Sequence, residues 1–249
     1  MTTPERGGSI TEDSRRYWNT WNATRREGTH LDQSMDQATR ARYQLILDWT
    51  ASLRLDGPRI LEVACGAGWL AERLRAFGTV TGTDLADEVI ARAQLRYPQV
   101  TFVAADFYTL ELPRDHFDLL VSVESIAHVP DQSRFVARMA EVLKPGGYLI
   151  LGVQNRFVLE RWGERKLRTR SPIHRWLTPN ELKALLAPWF ETTRVKTLAP
   201  AGDLGVLRFV NSYKLNALLS GFMSPDRLQA LKERLGFGQH IVLLARRRR

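Results

Sequence analysis

A single cysteine, Cys65, leaves the chain without an internal disulfide and without a cysteine-based zinc cluster to hold it together. Long apolar runs are missing too: nothing approaches the roughly 20 consecutive apolar residues that span a bilayer. The opening stretch, MTTPERGGSITEDSRR, has no apolar centre of the kind a secretory signal carries. A cytoplasmic location is therefore expected. There is no internal repeat, and no biased segment beyond the Arg246–Arg249 tail. Acidic residues are scarce in one part of the chain only. Residues 1–154 hold 17 Lys and Arg against 20 Asp and Glu, net −3, whereas residues 155–249 hold 19 against 7, net +12. Such asymmetry points to a nucleic acid, a membrane surface or an acidic small molecule, or to a basic solvated face. What is present is 249 residues, 44% of them hydrophobic and 25% charged, enough for one large α/β domain with room for additions.

Periodicity orders the chain. Helical spacing covers Ser14 to about Thr24, with Tyr17, Trp18 and Trp21, and then about Gln37 to Leu53. Short apolar runs then alternate with helices. Strands are read at Arg59–Val63, Thr79–Thr83, Val100–Ala104, Phe117–Val123 and Tyr148–Val153. Helices lie between them at Trp69–Ala76, Asp87–Arg96 and Gln132–Leu143. This order implies a Rossmann-like α/β fold, a mostly parallel sheet with helices on both faces. Later come a helix at Thr178–Ala187, opened by Thr178, Pro179 and Glu181 as a capping box, and strands at Thr192–Leu198 and His240–Ala245. Between those strands, helical stretches fall near Val206–Leu219 and Pro225–Leu235. The expected division is a helical cap over 1–54 and a main domain over 55–249, with substrate-lid additions at 154–176 and 200–238.

Four features carry chemistry. In Ile60-Leu-Glu-Val-Ala-Cys-Gly-Ala-Gly68, an apolar strand ends in Glu62, a glycine turn follows, and a helix begins. Gly66 and Gly68 allow the backbone a tight turn and close approach to a ligand, and the helix N-terminus offers unpaired N–H groups. By itself the segment also fits the loose dinucleotide fingerprint. Asp84, followed by Leu85, ends the second strand, where a carboxylate can accept both hydroxyls of a ribose. Asp106 and Phe107 follow the third strand, placed for an adenine amino group and ring. Lys144-Pro-Gly-Gly147 is a tight turn into the fifth strand. Singly, Glu62 could be an ordinary strand-end acid, Asp84 a helix cap and Asp106 a turn residue; their order and spacing tell against that.

Together these motifs resemble the class I S-adenosylmethionine (SAM)-dependent methyltransferases, over roughly Arg59–Val153. The small-molecule branch that includes the ubiquinone and menaquinone biosynthesis methyltransferases is the most similar. The resemblance implies a sheet with a late antiparallel strand, SAM as cofactor and S-adenosylhomocysteine as product. It implies a cofactor site of Glu62, Ala64, Gly66, Gly68, Asp84, Leu85, Asp106, Phe107 and Val123. Ala64 departs from the glycine common in that family. The segment Glu124-Ser-Ile-Ala-His128-Val-Pro is similar to one in the quinone-pathway enzymes, some of which bind a divalent metal through a further acid; Ala127 stands at that place, so no metal is expected. His128 is the candidate base, with a structural role at a helix entrance as the other reading.

Tyr17 is a candidate acceptor contact in a lid, or else core packing. The basic stretch 154–176, with Arg168 and Arg170 as candidate substrate ligands, suggests an anionic small-molecule acceptor, since arginine suits phosphate or carboxylate. His30, His174 and His240 have no evident partner in the sequence. An RNA methyltransferase is the alternative function, motivated by a pI near 10.1; no RNA-binding module and no Asn/Asp-Pro-Pro-aromatic segment after the fourth strand supports it. A non-catalytic SAM-binding regulator is another. Oligomeric state has no signature.

Overall fold

The computed structural model describes residues 10–25, 36–162 and 171–249. Helices α1 (Ile10–Arg25) and α2 (Gln37–Ser52) precede strand β1 (Arg59–Val63). The alternating core follows as α3 (Trp69–Leu74), β2 (Thr79–Asp84), α4 (Asp87–Arg96), β3 (Thr101–Ala104), β4 (Phe117–Val123), α5 (Gln132–Val142) and β5 (Leu143–Gln154). A short 3-10 turn, Ile126–His128, sits between β4 and α5. The chain closes with α6 (Arg156–Leu159), α7 (Pro179–Leu186), β6 (Phe190–Pro200), α8 (Val206–Val210), α9 (Tyr213–Ser220), α10 (Pro225–Arg234) and β7 (Gly238–Arg247).

The seven strands run β3-β2-β1-β4-β5-β7-β6. The first five pair parallel, and β7 runs antiparallel to both β5 and β6. A parallel sheet covered on both faces needs strands apolar on both, and β4 and β5 supply them. Leu120, Leu149 and Leu151 pack into one core with Val136 and Met139 of α5 and Leu182 of α7. Their neighbours Leu119, Val121 and Ile150 face the other core, with Ile46 of α2, Leu70 of α3 and Ile90 of α4. Local capping chemistry starts the helices: Asp36 accepts from Thr39 N at 2.8 Å, Asp131 from Arg134 N at 2.9 Å, and Thr178 and Glu181 form the anticipated capping box.

Differences from the sequence reading have physical causes. The Lys144–Gly147 turn lies inside β5 as an irregularity: the β4 register jumps from Phe117↔Leu143 to Leu119↔Tyr148, and Gly146 takes φ +79°. The helix read over Val206–Leu219 is two helices broken at Asn211 and Ser212. Both late strands are several residues longer than their apolar cores, because the β6–β7 ladder extends from Phe190↔Arg247 to Pro200↔Gly238. Among the described residues no helix is long and apolar enough to cross a membrane.

Candidate functional site

Strand order reverses between β1 and β4, and the crevice beyond the carboxyl ends of the strands at such a point is where open α/β sheets hold ligands. A cavity of about 300 Å³ lies there. Its floor is the turn after β1. Asp84 organises it: one carboxylate oxygen accepts Gly66 N at 2.8 Å and the other Ala86 N at 2.9 Å. A carboxylate has about four acceptor positions, so each oxygen keeps capacity for a further donor. Burial pushes the Asp84 carboxyl up, against the pull of those backbone donors.

Glu62 is 3% exposed, and its Oε2 has no hydrogen-bond partner. Burial drives its carboxyl well above the usual carboxylate range; the Ala71 backbone donor opposes this and neighbouring Asp84 adds to it. Two backbone conformations shape the turn. Ala64 has φ +60°, the left-handed region that explains a glycine preference at its position. Gly66 has φ +52°, and the Oδ1 of Asn22 lies 3.2 Å from where a Cβ there would stand.

The remaining predicted cofactor residues divide. Leu85, Asp106, Phe107 and Val123 line the cavity; Gly68 does not. With φ +80° and an added Cβ only 2.5 Å from the Phe102 ring, Gly68 instead lets the start of α3 pack on β3. Asp106 spends one oxygen on Tyr108 N at 2.9 Å. Phe107 is buried edge-on against Phe135, with centroids 5.4 Å apart, so only part of its ring borders the cavity.

Across from the floor, α1 contributes Tyr17, Trp18, Trp21 and Asn22 to the lining. It is tied to α4 by Asn19 Nδ2 donating to Asp87 at 2.9 Å. The Trp18 ring meets His128 edge to face at 4.9 Å. His128 Nδ1 is 2.9 Å from the Ile173 carbonyl, which can only accept. Nδ1 therefore carries the proton, and Nε2 keeps its lone pair. Burial lowers the His128 pKa, partly offset by that carbonyl and by Glu124, so the ring is neutral near pH 7.

Sequence reasoning missed the third wall. Glu124, at φ +58° just past β4, is a lining residue. It pairs with Arg42 of α2, whose side chain is 2% exposed. Arg42 Nη1 also donates to His240 Nδ1 at 2.9 Å, so His240, without an evident partner in the sequence, has one. Burial pushes the Glu124 carboxyl up, but Arg42 and His240 outweigh it and hold it at about 2. In the sequence only Arg42, on the helical face it shares with Thr39, Ile46 and Thr50, hinted at this.

The two expected lid additions behave differently. Gln154 and Ser171 line the cavity, but no residue of 200–238 does. Arg168 and Arg170 fall outside the described residues. The described arginines nearby are engaged elsewhere: Arg156 with Glu181 at 2.5 Å, Arg175 with the Pro130 carbonyl at 3.0 Å, and Arg161 over the Phe157 ring at 4.1 Å. Among the described residues, no Lys or Arg lines the cavity, whereas Glu62, Asp84, Asp106 and Glu124 do.

Comparison with known proteins bears on the fold that holds this cavity. Residues 61–151 match the family model of a methyltransferase domain. A ubiquinone biosynthesis O-methyltransferase of Bradyrhizobium sp. (strain ORS 278) is 34% identical over 146 residues, 53% of this chain and 57% of that protein. The matched region thus spans little more than half of that relative. The N-methyltransferase NodS from Bradyrhizobium japonicum WM9, solved with S-adenosyl-L-homocysteine, superposes with a TM-score of 0.62 at 18% identity, over 92% of this chain and 98% of its own. The [4+2]-cyclase SpnF superposes with a TM-score of 0.66, also at 18% identity, over 99% of each chain. A cyclase and a methyltransferase on one scaffold mean that the scaffold does not set the reaction.

Proposed function

We propose, for a chain whose residues 61–151 match the family model of a methyltransferase domain, that it transfers a methyl group from SAM to a hydroxyl of a small-molecule acceptor. The observation that carries the reading is the convergence of Glu62, Asp84 and Asp106 from three strand ends on one cavity, with neutral His128 on the same cavity. The fit to SAM is chemical. Glu62 Oε2 is a buried acceptor lacking a donor, which an ammonium would satisfy. Asp84 retains acceptor capacity for ribose hydroxyls, and Asp106 has an oxygen for an adenine amino group. Bound there, SAM supplies a methyl group already activated on a sulfonium.

The chain's own residues orient the acceptor, exclude water and move one proton. The α1 aromatics Tyr17, Trp18 and Trp21 cover the cavity on that side, beside polar Thr11, Ser14 and Asn22. His128, fixed through Nδ1–H to the Ile173 carbonyl, presents Nε2 as the acceptor for a hydroxyl proton. A hydroxyl requires such a base; a sulfide or a free neutral amine does not. Arg168 and Arg170, the candidate ligands of an anionic acceptor, lie outside the described residues and adjoin Ser171, which lines the cavity. RNA methylation needs a cationic track to the site, and none of the described walls provides it.

The test is calorimetric and kinetic. Asp84→Asn should weaken S-adenosylhomocysteine binding about 10- to 100-fold, the worth of charge-assisted hydrogen bonds. His128→Gln should leave that affinity unchanged while slowing transfer to phenolic acceptors by about 100-fold or more. Binding of NAD in preference to SAM, or full turnover in His128→Gln, would sink the reading.

A further inference from the structure

The hydrogen bond that sets the His128 ring comes from a stretch of chain 45 positions away. Ile173 supplies the carbonyl at Nδ1, and Ser171 adds a second contact, its Oγ 3.2 Å from the same nitrogen. The Ser171 hydroxyl donates to the Ile173 carbonyl at 3.1 Å, so its oxygen is left to accept. Both partners of Nδ1 are therefore acceptors, and they place the proton on Nδ1 only while residues 171–173 stay where they are. Residues 171–176 belong to no helix or strand. With no ladder of its own, such backbone is held by whatever else pairs with it.

The side chain that pairs with it is Gln132, the first residue of α5. Its Nε2 donates at 2.8 Å to the Ile126 carbonyl and at 2.8 Å to the Arg175 carbonyl. Both acceptors are carbonyls, so both amide hydrogens are used and the orientation of the amide is fixed. Ile126 opens the 3-10 turn that ends in His128, and Arg175 lies two residues past Ile173. One side chain thus clamps the turn that carries the imidazole to the segment that carries its acceptors. Arg175 adds ties beside it, from its backbone N to the Ala127 carbonyl at 2.8 Å and from Nη1 to the Pro130 carbonyl at 3.0 Å. The Nη1 bond is exposed and competes with water. Ring edges of Trp18 and His174 flank His128, with centroids 4.9 and 5.5 Å away. Ring packing restricts the plane of an imidazole but does not choose which nitrogen is protonated. Gln132 itself lines no part of the cavity.

We propose that Gln132 is a positioning residue for methyl transfer: by clamping residues 171–175 to the Ile126–His128 turn, it keeps the His128 proton on Nδ1 and the lone pair on Nε2. The proposal rests on His128 as the proton acceptor, but its first readout needs no turnover. Neutral imidazole in water prefers the Nε2–H form, in which Nε2 cannot accept, and a base held in the wrong tautomer fails. The test is long-range proton–nitrogen NMR of the full chain labelled at histidine, at about pH 8, where the rings are neutral. The His128 signals are those that vanish in His128→Gln. In the wild type they should report Nδ1–H. Gln132→Met has similar length and no donor. Gln132→Glu keeps the size, turns acceptors toward both carbonyls and adds a charge that a helix N-terminus favours. In both variants the signals should move toward Nε2–H. Their kcat should fall about 10-fold, short of the loss of about 100-fold or more expected from removing the base. KM and S-adenosylhomocysteine affinity should stay unchanged, and melting should stay within about 3 °C of the wild type. Ser171→Ala, which leaves the clamp and the Ile173 carbonyl in place, should keep Nδ1–H. Nε2–H in the wild type, or Nδ1–H retained in both Gln132 variants, would overturn the proposal. So would a lower kcat with no change of tautomer, since Gln132 would then act only on the fold. Full turnover in His128→Gln would sink the base reading and with it the effect on kcat, whereas the tautomer change reports the clamp alone.

Discussion

The floor of the cavity and its wall past β4 are both made of buried carboxylates, yet the two are held in opposite states. At the floor, Glu62 and Asp84 have only backbone donors, and burial raises both. At the wall, Glu124 has Arg42 and His240 against it and is held ionised at about 2. The floor is short of positive charge and carries an unpartnered oxygen, so a ligand with donors and a cationic group would complete it. At the wall the carboxylate is paired with a cation, although the buried Arg42 Nε has no hydrogen-bond partner. Glu124 thus belongs with the structure that sets the shape of the cavity, and Glu62 and Asp84 with what the cavity holds.

The largest expected effect comes from breaking the wall. Arg42→Met leaves Glu124 beside His240 alone and should cost about 3 kcal/mol of stability, as truncation of one partner of a buried ion pair does. Urea unfolding measures it, and adding Glu124→Gln should recover part of the loss. The pH dependence has a definite sign. A carboxyl held down to about 2 in the fold contributes stability above its ordinary pKa, and that contribution fades as pH falls through about 2. Glu124→Gln should therefore flatten acid unfolding below about pH 4.5, the ordinary carboxylate value. An Arg42→Met variant as stable as the wild type would erase the distinction between wall and floor.

The floor should respond the other way. A carboxyl raised in the fold costs stability once pH exceeds its unfolded value, because the unfolded chain ionises first. Glu62→Gln should match the wild type near pH 4 and exceed it by about 1–2 kcal/mol at pH 8 without ligand, the cost of a buried unsatisfied group. With SAM present the order should reverse, since the amide oxygen offers an ammonium a hydrogen bond but no counter-charge. Thermal melts at both pH values, with and without SAM, would show whether the raised state is real; a destabilised Glu62→Gln at pH 8 in the free protein would contradict it.

The smallest effect concerns the floor's backbone. Ala64 at φ +60° pays a left-handed penalty that glycine avoids, partly offset by glycine's freer unfolded chain. Ala64→Gly should stabilise by up to about 1 kcal/mol, a few degrees in Tm for a chain of this size. A drop in Tm would mean that the Ala64 methyl packs usefully in the turn.

Much of the fold followed from local rules. The strands at Arg59–Val63 and Phe117–Val123 and the helix at Asp87–Arg96 have the bounds that period and turn chemistry indicated. The bounds of β5, β6 and β7 moved outward where ladder pairing carries a strand past its apolar core. The acids of the floor were also readable, since Glu62, Asp84 and Asp106 each lie within two residues of a strand's carboxyl end and strand ends are visible in sequence. Gly68 has a second reason to be glycine, since a Cβ there would meet the Phe102 ring, a contact that only the structure shows.

What the sequence determined by itself is therefore the order of elements and the acids at their ends, because both arise from contacts within a few residues. What only the tertiary structure decided is the wall and the exposure of α9. Arg42 and Glu124 are 82 positions apart, and Arg42 and His240 are 198. No spacing rule links such residues; the sheet brings them together by setting β7 one strand away from β4, across β5, with α2 packed against β7. Nor could apolar spacing in Tyr213–Ser220 reveal that its side chains would find no core, since a helical stripe looks the same whether it meets a sheet or solvent.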